Sequence, residues 1–243
     1  MTFLSQIAFA TILPVLAQSP TPAPPRPPTP PLTATELDAI PLMPPRPRES
    51  VTRKIFDGKT LNGWHGNPAW WSVADGAIVG KSEGKVPTSF LFSEVRYSDF
   101  RLTLLSRMTE SENHAGVCFW SEITGQPERD NKWYTHGPLV MFPKPGMWDY
   151  IDAKGIRVFR MTNETVTSQH EWIKVEILAQ GNRVRTALNG VAVMDWRESD
   201  PARVKEAPIG LQLHSWTGTQ EVLYKDVVVE TFPKQDKLIT LKP

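Results

Sequence analysis

The chain has 243 residues, of which 27 are basic and 26 acidic, so its formal net charge is +1. Because the charge is balanced and no basic run occurs, the composition argues against nucleic acid as a partner. A single cysteine excludes an internal disulfide, so the fold has to be stable without one.

The N-terminal segment, residues 1–17, is typical of a secretory signal peptide. It is mostly apolar and ends on the small-residue sequence VLA before Gln18, although it lacks the usual basic residue near its start. A membrane-spanning helix needs about 20 apolar residues, so stable membrane insertion is not expected. No cysteine follows the apolar run, which closes the lipid-anchor route of bacterial lipoproteins. The sequence therefore predicts a secreted or periplasmic protein.

Residues 18–50 are predicted to form a proline-rich linker. They hold about half of the 23 prolines, and such a run favours an extended, disordered conformation. The stretch ELDAI within it is too short for an independent helix. Two interpretations remain open, namely a disordered linker without a partner and a spacer that holds a domain away from a wall or membrane. Residues 51–232 are left as the folded domain, and residues 233–243 as a C-terminal tail.

The domain carries the alternating pattern of short β-strands. Asp75-Gly76, inside WWSVADGAIVG, predicts a β-hairpin. About thirteen candidate strands and no amphipathic helix of convincing length favour an all-β fold, in which two antiparallel sheets pack as a jelly-roll sandwich.

The clearest local pattern lies in residues 172–196. Apolar and polar residues alternate in three runs, and the chain reverses at Gly181-Asn182 and again at Asn189-Gly190. This spacing predicts a three-stranded meander.

The stretch IGLQLHSW predicts a strand that borders a site. Ile209, Leu211 and Leu213 form an apolar row that should face the core. Gln212 and His214 then share the opposite face. An amide and an imidazole side by side suit either a solvated face or the wall of a polar site.

The segment HAGVCFW, residues 114–120, is a second candidate strand at the site. Alternation places His114 and Trp120 on one face and Val117 on the other. Cys118 lies between apolar neighbours, which favours a buried, inert thiol over a nucleophile. A structural histidine is the default interpretation for His114 and for His214, and a role in a site is the alternative.

Four further residues are candidate contacts of a ligand. Trp148 and Trp216 could stack on the C–H faces of sugars or cover an edge of the core. Asp149 and Glu122 are candidates for a second acid or a cation ligand. His136 lies in the turn YTHGP without a predicted partner.

Five segments occur in an order that resembles the 3-keto-disaccharide hydrolase family. They are IFDGKTLNGW, WSVADGAIVGKS, SDFRL, EWIKVEILAQGNRVRTALNGVAVMD and APIGLQLHS followed by EVLYKDVVVE. The resemblance covers most of residues 55–230. It implies a concanavalin/laminarinase-like jelly roll, exported from the cell, that acts on sugars oxidised at C3.

The chemistry implied by the resemblance needs a base and a stabiliser for an enolate. A 3-keto group acidifies the hydrogen on C2, so a base can remove it and the enolate can expel the group at C1. His114, His214 and Asp149 are the candidate catalytic residues, acting as acid, base or metal-coordinating groups. Gln212 would orient the sugar or stabilise the enolate, with Trp120 as a stacking wall. The sequence requires no cofactor, although a divalent metal ion could serve the same purpose.

The segment around Cys118 departs from the family pattern. Family members commonly read NSGI.FR where this chain has HAGVCFW, so His114 replaces Asn and Trp120 replaces Arg. Either His114 serves as a replacement base or metal ligand, or the altered face is a binding surface. The first interpretation is an exported enzyme that cleaves 3-keto-glycosides. The others are a carbohydrate-binding, lectin-like module on a proline-rich stalk and a structural module of the cell envelope.

Overall fold

The computed structural model describes residues 33–110, 113–142, 148–151, 157–161 and 168–242. For residues 148–151 and 157–161 it describes the backbone alone. The predicted signal peptide and the predicted linker up to residue 32 lie outside the described residues. Within the described ranges, no helix is long and apolar enough to cross a membrane.

Fifteen β-strands of the described chain form two antiparallel sheets, which confirms the predicted all-β sandwich. In spatial order, the eight-stranded sheet contains β13 (Val191–Arg197), β12 (Arg183–Leu188), β11 (Ile173–Gln180), β6 (Phe100–Met108), β15 (Gln220–Thr231), β4 (Ala77–Ser82) and β3 (Trp71–Ala74), with β1 (Val51–Lys54) also paired to β15. The seven-stranded sheet contains β10 (Arg157–Met161), β9 (Trp148–Ile151), β8 (Leu139–Phe142), β7 (Ala115–Cys118), β14 (Ala207–Leu213), β5 (Ser89–Tyr97) and β2 (Trp64–His65). Three short helices complete the described elements: α1 (Ala34–Ala39) and two 3₁₀ turns, Pro127–Arg129 and Pro201–Arg203.

The turn residues lie where the sequence predicts reversals. Asp75 and Gly76 have φ values of 49° and 73°, the left-handed conformation that a tight two-residue hairpin needs, and they join β3 to β4. Asn189 and Gly190 adopt the same conformation, with φ values of 46° and 87°, between β12 and β13. The meander β11–β12–β13 is therefore confirmed.

The two sheets enclose one large apolar core. Ile209, Leu211 and Leu213 are each at most 1% exposed and lie in this core, as the alternation in β14 predicts. Burying side chains of this kind contributes about 1.5–3 kcal/mol each. The opposite face of the seven-stranded sheet is thereby left free to form a site.

The segment before β1 is bound to the sandwich, so the predicted linker extends too far. The Asn182 side chain accepts a hydrogen bond from the Met43 N–H at 2.9 Å and donates one to the Pro41 carbonyl at 3.0 Å. Arg46 pairs with the buried carboxylate of Asp99 at 2.9 Å. These contacts use backbone groups that an extended proline-rich chain leaves unpaired.

A single helical turn, α1, precedes this bound segment. Thr33 and Glu36 form a reciprocal capping box, with the Thr33 N–H donating to the Glu36 carboxylate at 2.7 Å and the Glu36 N–H donating to the Thr33 hydroxyl at 3.3 Å. Arg197 pairs with Asp38 at 3.2 Å. The turn is stabilised by capping and by tertiary contact, which explains why propensity alone did not predict it.

A buried ion cluster, made of Arg101, Glu176 and Glu230, lies on the outer face of the eight-stranded sheet. Arg101 is 3% exposed, pairs with Glu176, and donates to Glu230 at 2.9 Å. The C-terminal segment 235–240 covers it, because Arg101 donates to the carbonyls at positions 235 and 237, and Glu176 accepts from the amides at positions 239 and 240. The predicted tail, residues 233–243, is thus packed on the sheet over this segment.

Candidate functional site

A cavity of about 190 Å³ lies on the face of the seven-stranded sheet that points away from the core. Eleven residues line it: Thr88, Phe90, Cys118, Tyr134, Thr135, His136, Gly137, Leu139, Met141, Gln212 and His214. Strands β5, β7, β8 and β14 supply the floor, and the loop between β7 and β8 supplies one wall. Alternation along the strands therefore builds both the core and the cavity from the same four elements.

Gln212 presents an unpaired hydrogen-bond acceptor at the cavity. Its side chain is only 2% exposed, and its Oε1 atom is buried without a partner among the described residues. Leaving such a group unpaired costs about 1–3 kcal/mol. A ligand hydroxyl that donates to Oε1 would recover that cost. This amide is therefore the strongest indication that the cavity binds a polar ligand.

Gly116 on β7 makes room for the Gln212 amide. A Cβ atom at position 116 would lie 3.3 Å from Gln212 Oε1 and only 2.7 Å from the Val140 carbonyl oxygen. The absence of a side chain here lets β7 and β14 present the amide to the cavity instead of covering it.

His214, two residues beyond Gln212, lines the same cavity. Its Nδ1 atom lies 2.8 Å from the backbone carbonyl oxygen of Ser215. Because a carbonyl only accepts, this contact is a hydrogen bond when Nδ1 carries the proton, and Nε2 then keeps the free lone pair of the neutral ring. Burial lowers the pKa of His214 below its usual value near 6.5, and the bond to Ser215 opposes the shift only in part. The neutral, proton-accepting form therefore dominates at neutral pH.

The structure brings His114 next to His214, as the two strand patterns predict. Their ring centroids are 4.1 Å apart, with the ring planes inclined by 50°. His114 is half-buried just before β7 and is not itself among the lining residues. A proton on either ring raises the cost of a proton on the other, which favours at least one neutral imidazole.

Tyr134 and His136 also line the cavity, and the sequence did not identify either as a site residue. Their rings meet edge to face at a centroid distance of 4.8 Å, and Tyr134 also packs against Phe90 at 6.0 Å. Burial raises the pKa of the Tyr134 hydroxyl, which therefore stays protonated and can donate a hydrogen bond. Both residues lie in an irregular loop, where no strand periodicity indicates which side chains point inward.

Trp120 is not a stacking wall, so this prediction is wrong. Its side chain is 1% exposed, lies in the main core and donates a hydrogen bond from Nε1 to the Ser98 carbonyl at 2.7 Å. The cause is a φ of 56° at Trp120, which interrupts the alternation of β7. Phe119 and Trp120 consequently both enter the core, where their rings pack at a centroid distance of 5.2 Å.

Glu122 does not contribute its carboxylate to the cavity. It forms an ion pair with Arg96 on an exposed surface and is absent from the residues that line the cavity. The hydrogen bond from Arg96 lowers the pKa of Glu122. The predicted contact of Glu122 with a ligand stays a prediction.

The remaining predicted contacts are Trp216, Trp148 and Asp149. Trp216 is 38% exposed, and its backbone pairs with Val86 next to the cavity, although its side chain does not line it. Trp148 and Asp149 belong to β9, whose side chains lie outside the described residues. The roles predicted for these three residues stay predictions.

Cys118 lines the cavity floor as a buried thiol. Burial raises its pKa strongly, so the thiolate that a nucleophile requires is not formed at neutral pH. Its burial confirms the interpretation of an inert thiol.

The described residues do not assemble a metal site. No group of three or more His, Cys, Asp or Glu side chains within them could hold a metal ion. The lining residues include two imidazoles but no carboxylate. This donor set does not match the three or four ligands that protein-bound zinc usually takes.

Two antiparallel sheets packed in this way form the sandwich fold of glycosyl hydrolase-like jelly-roll domains. Within that class, this chain belongs to the family of 3-keto-alpha-glucoside-1,2-lyase-like domains, whose model matches residues 52–230. The resemblance seen in the sequence is thereby confirmed. No protein with a curated description matches the chain.

Solved structures share the fold at low sequence identity. A candidate glycosyl hydrolase from Parabacteroides distasonis superposes with a TM-score of 0.53 at 16% identity, covering 75% of this chain and 94% of its own. The carbohydrate-binding module CBM66 from Bacillus subtilis gives 0.52 at 18% identity, covering 70% and 96%. A galectin-like protein of unknown function from Bacillus subtilis gives 0.58 at 11% identity, covering 75% and 96%. At these identities the likeness establishes the sandwich fold alone.

Proposed function

We propose that this protein cleaves glycosides whose sugar carries a keto group at C3, by elimination at C1 followed by hydration. The observation that supports this function best is that the neutral imidazole of His214 and the unpaired Oε1 of Gln212 line the same cavity. An elimination needs a base for a carbon acid and polar contacts for a sugar, but no protein nucleophile.

In the proposed reaction, His214 Nε2 takes the hydrogen from C2 of the sugar. The electron pair of the C–H bond forms an enolate with the C3 carbonyl. The enolate then forms the C1–C2 double bond and breaks the bond from C1 to the leaving oxygen, which takes up a proton. Addition of water across the double bond returns a proton to C2 and gives the free 3-keto sugar.

Three other residues have proposed roles in this reaction. Tyr134, which burial keeps protonated, donates a hydrogen bond to the enolate oxygen. Gln212 accepts a hydrogen bond from a sugar hydroxyl through Oε1 and thereby orients the sugar. His136, exposed at the cavity wall, gives a proton to the leaving oxygen in this proposal.

The test is release of a chromogenic aglycone from a 3-keto-glucoside by the purified full chain, with and without a chelator. We expect release by the wild type, loss in His214→Gln, and no loss in His65→Gln, which changes an exposed histidine at an edge strand away from the cavity. In D₂O, elimination and hydration place deuterium at C2 of the product. Wild-type activity in His214→Gln, or a product without deuterium at C2, would contradict the mechanism. Loss of release on chelation would show that a metal ion takes part.

A carbohydrate-binding function is the second candidate. The observation in its favour is that no carboxylate, the usual acid or base of glycoside-cleaving enzymes, occurs among the cavity-lining residues. Saturable binding of a glycan without release, weakened by Gln212→Leu, would support this function and reject the enzyme.

We further propose that the chain is exported and that residues 1–17 are removed. N-terminal sequencing of the protein recovered from the periplasm or medium tests this directly. A mature protein that begins at Gln18 is the expected result, and retention of Met1 in a cytoplasmic fraction would reject it.

A further inference from the structure

We infer that Asn113 and Gln220 are positioning residues that hold His214 with its proton on Nδ1, so that Nε2 is the nitrogen that accepts the substrate proton. The inference rests on the proposed function for the role of Nε2. The geometry of the hydrogen bonds around the ring is independent of that function.

Asn113 connects the segment before β7 to the loop after β14. It is 6% exposed, and its Nδ2 group donates to the Ser215 carbonyl at 3.1 Å and to Gln220 Oε1 at 3.3 Å. The same nitrogen lies 3.1 Å from His214 Nδ1. Because both amide hydrogens have carbonyl-type acceptors, the amide does not need the lone pair of Nδ1.

Gln220 fixes the other side of this loop. It is fully buried, donates from Nε2 to the His214 backbone carbonyl and also lies 3.3 Å from the Ser82 hydroxyl. Its Oε1 accepts from Asn113, so the amide cannot rotate without losing contacts at both ends. The backbone on either side of the His214 ring is thereby held by two buried amides.

As a result of this arrangement, Nδ1 of His214 faces one carbonyl acceptor, that of Ser215. The Ser215 carbonyl receives the Asn113 N–H and lies 2.8 Å from Nδ1, so it is held where it can accept the imidazole proton as well. A carbonyl oxygen has two lone pairs and can accept both bonds. A freely moving loop would allow either nitrogen to carry the proton.

Among the residues that the structure describes, few titratable groups lie near His214. His114 contacts the ring, and Cys118, Tyr134 and His136 line the same cavity. The cavity lining presents no carboxylate that could accept the Nδ1 proton in place of Ser215. The tautomer is therefore set by the backbone carbonyl and by the amides that hold it.

Long-range ¹H–¹⁵N correlation of the imidazoles in the ¹⁵N-labelled full chain measures the tautomer. The His214 signals are assigned by their loss in His214→Gln. We expect the form with the proton on Nδ1 to exceed the other by about tenfold in the wild type, the ratio given by one retained hydrogen bond. A wild-type spectrum dominated by the proton on Nε2 overturns the inference without any further variant.

Asn113→Leu and Gln220→Met remove each amide while keeping a side chain of similar size. In both variants we expect the tautomer ratio to approach one. The fraction of molecules with the proton on Nδ1 then falls from about nine tenths to about one half, so kcat should fall about twofold at an unchanged KM. Thr217→Ala, an exposed change in the same loop, is the matched control and should leave both values as in the wild type. A wild-type ratio in folded Asn113→Leu contradicts the inference.

The same measurements separate this inference from the proposed function. If the wild type carries the proton on Nδ1, both variants lose this preference, and the wild type cleaves no 3-keto-glycoside, the positioning role is supported and the function is rejected. A wild type that cleaves the substrate through His214, with unchanged kcat in both variants, supports the function and rejects the positioning role.

Discussion

The two sheets each bury a polar group, but only one of these groups has all its partners. The ion cluster on the eight-stranded sheet is saturated, because Arg101 and Glu176 bind each other and the backbone of the C-terminal segment. On the seven-stranded sheet, Gln212 is equally buried, and its Oε1 has no partner among the described residues.

This difference separates a polar cluster whose partners all belong to the fold from an amide whose partner, in the proposed function, is a ligand. A saturated buried cluster has no capacity left for another molecule, and removing one partner leaves a charge without compensation. An unsaturated amide beside a cavity weakens the fold slightly and gains its partner only when a ligand binds. The following changes test this contrast in order of decreasing effect.

Glu176→Gln should destabilise the protein most. It leaves the Arg101 charge without its closest partner, and breaking a buried pair of this kind costs about 3–5 kcal/mol. Urea unfolding should show a lower midpoint, and hydrogen exchange should show loss of protection at the amides of Ile239 and Thr240, which donate to this carboxylate. Sugar affinity should be unchanged. A stability like that of the wild type would show that the cluster is not structural.

Gln212→Leu should have the opposite effect, with stability retained and ligand affinity reduced. Because the acceptor has no partner among the described residues, its removal should leave the unfolding midpoint unchanged or raise it. Loss of the ligand contact should weaken binding of a 3-keto-glucoside by about 1–3 kcal/mol, measured by calorimetry. Reduced stability together with wild-type affinity would reverse the assignment of Gln212.

Trp120→Phe should behave as a change in the core. The variant loses the hydrogen bond to the Ser98 carbonyl, which contributes about 0.5–1.5 kcal/mol, and leaves a small void in the core. Thermal unfolding should detect this loss, and titration with the sugar should detect no change. A weaker affinity would mean that the departure of this position from the family pattern affects the site after all.

The pH dependence of kcat/KM should show the smallest effect. In the proposed reaction His214 acts as a base in its neutral form, and burial lowers its pKa below the usual value near 6.5. Activity should therefore rise with pH through a midpoint below 6.5, and at pH 6.5 more than half of the enzyme should be active. The apparent pKa from this profile should match the midpoint of the His214 imidazole signals. A midpoint above 6.5 would contradict the role of His214 as a buried base.

Most of the fold follows from local patterns in the sequence. Asp75-Gly76 and Asn189-Gly190 specify reversals through their left-handed backbone, and alternation in β14 places Gln212 and His214 on the cavity face. These features depend only on neighbouring residues, which is why periodicity predicts them.

The site was predicted less completely, for reasons that are also physical. One left-handed residue, Trp120, moves an indole from the cavity face into the core, and no alternating pattern reveals such an interruption. Tyr134 and His136 reach the cavity from an irregular loop. The Asn113 amide contacts Gln220 across 107 positions of the chain, a distance over which sequence spacing carries no information.

The segments that flank the family match have a practical consequence for recombinant work. A fragment excised at residues 52 and 230 would lose Arg46, which pairs with Asp99, and the backbone amides that bind Glu176. Asp99 would then lose its Arg46 partner and Glu176 its backbone donors, so such a truncated protein should be less stable even though it contains every residue of the cavity. Expression boundaries near residues 33 and 242 retain both flanking segments.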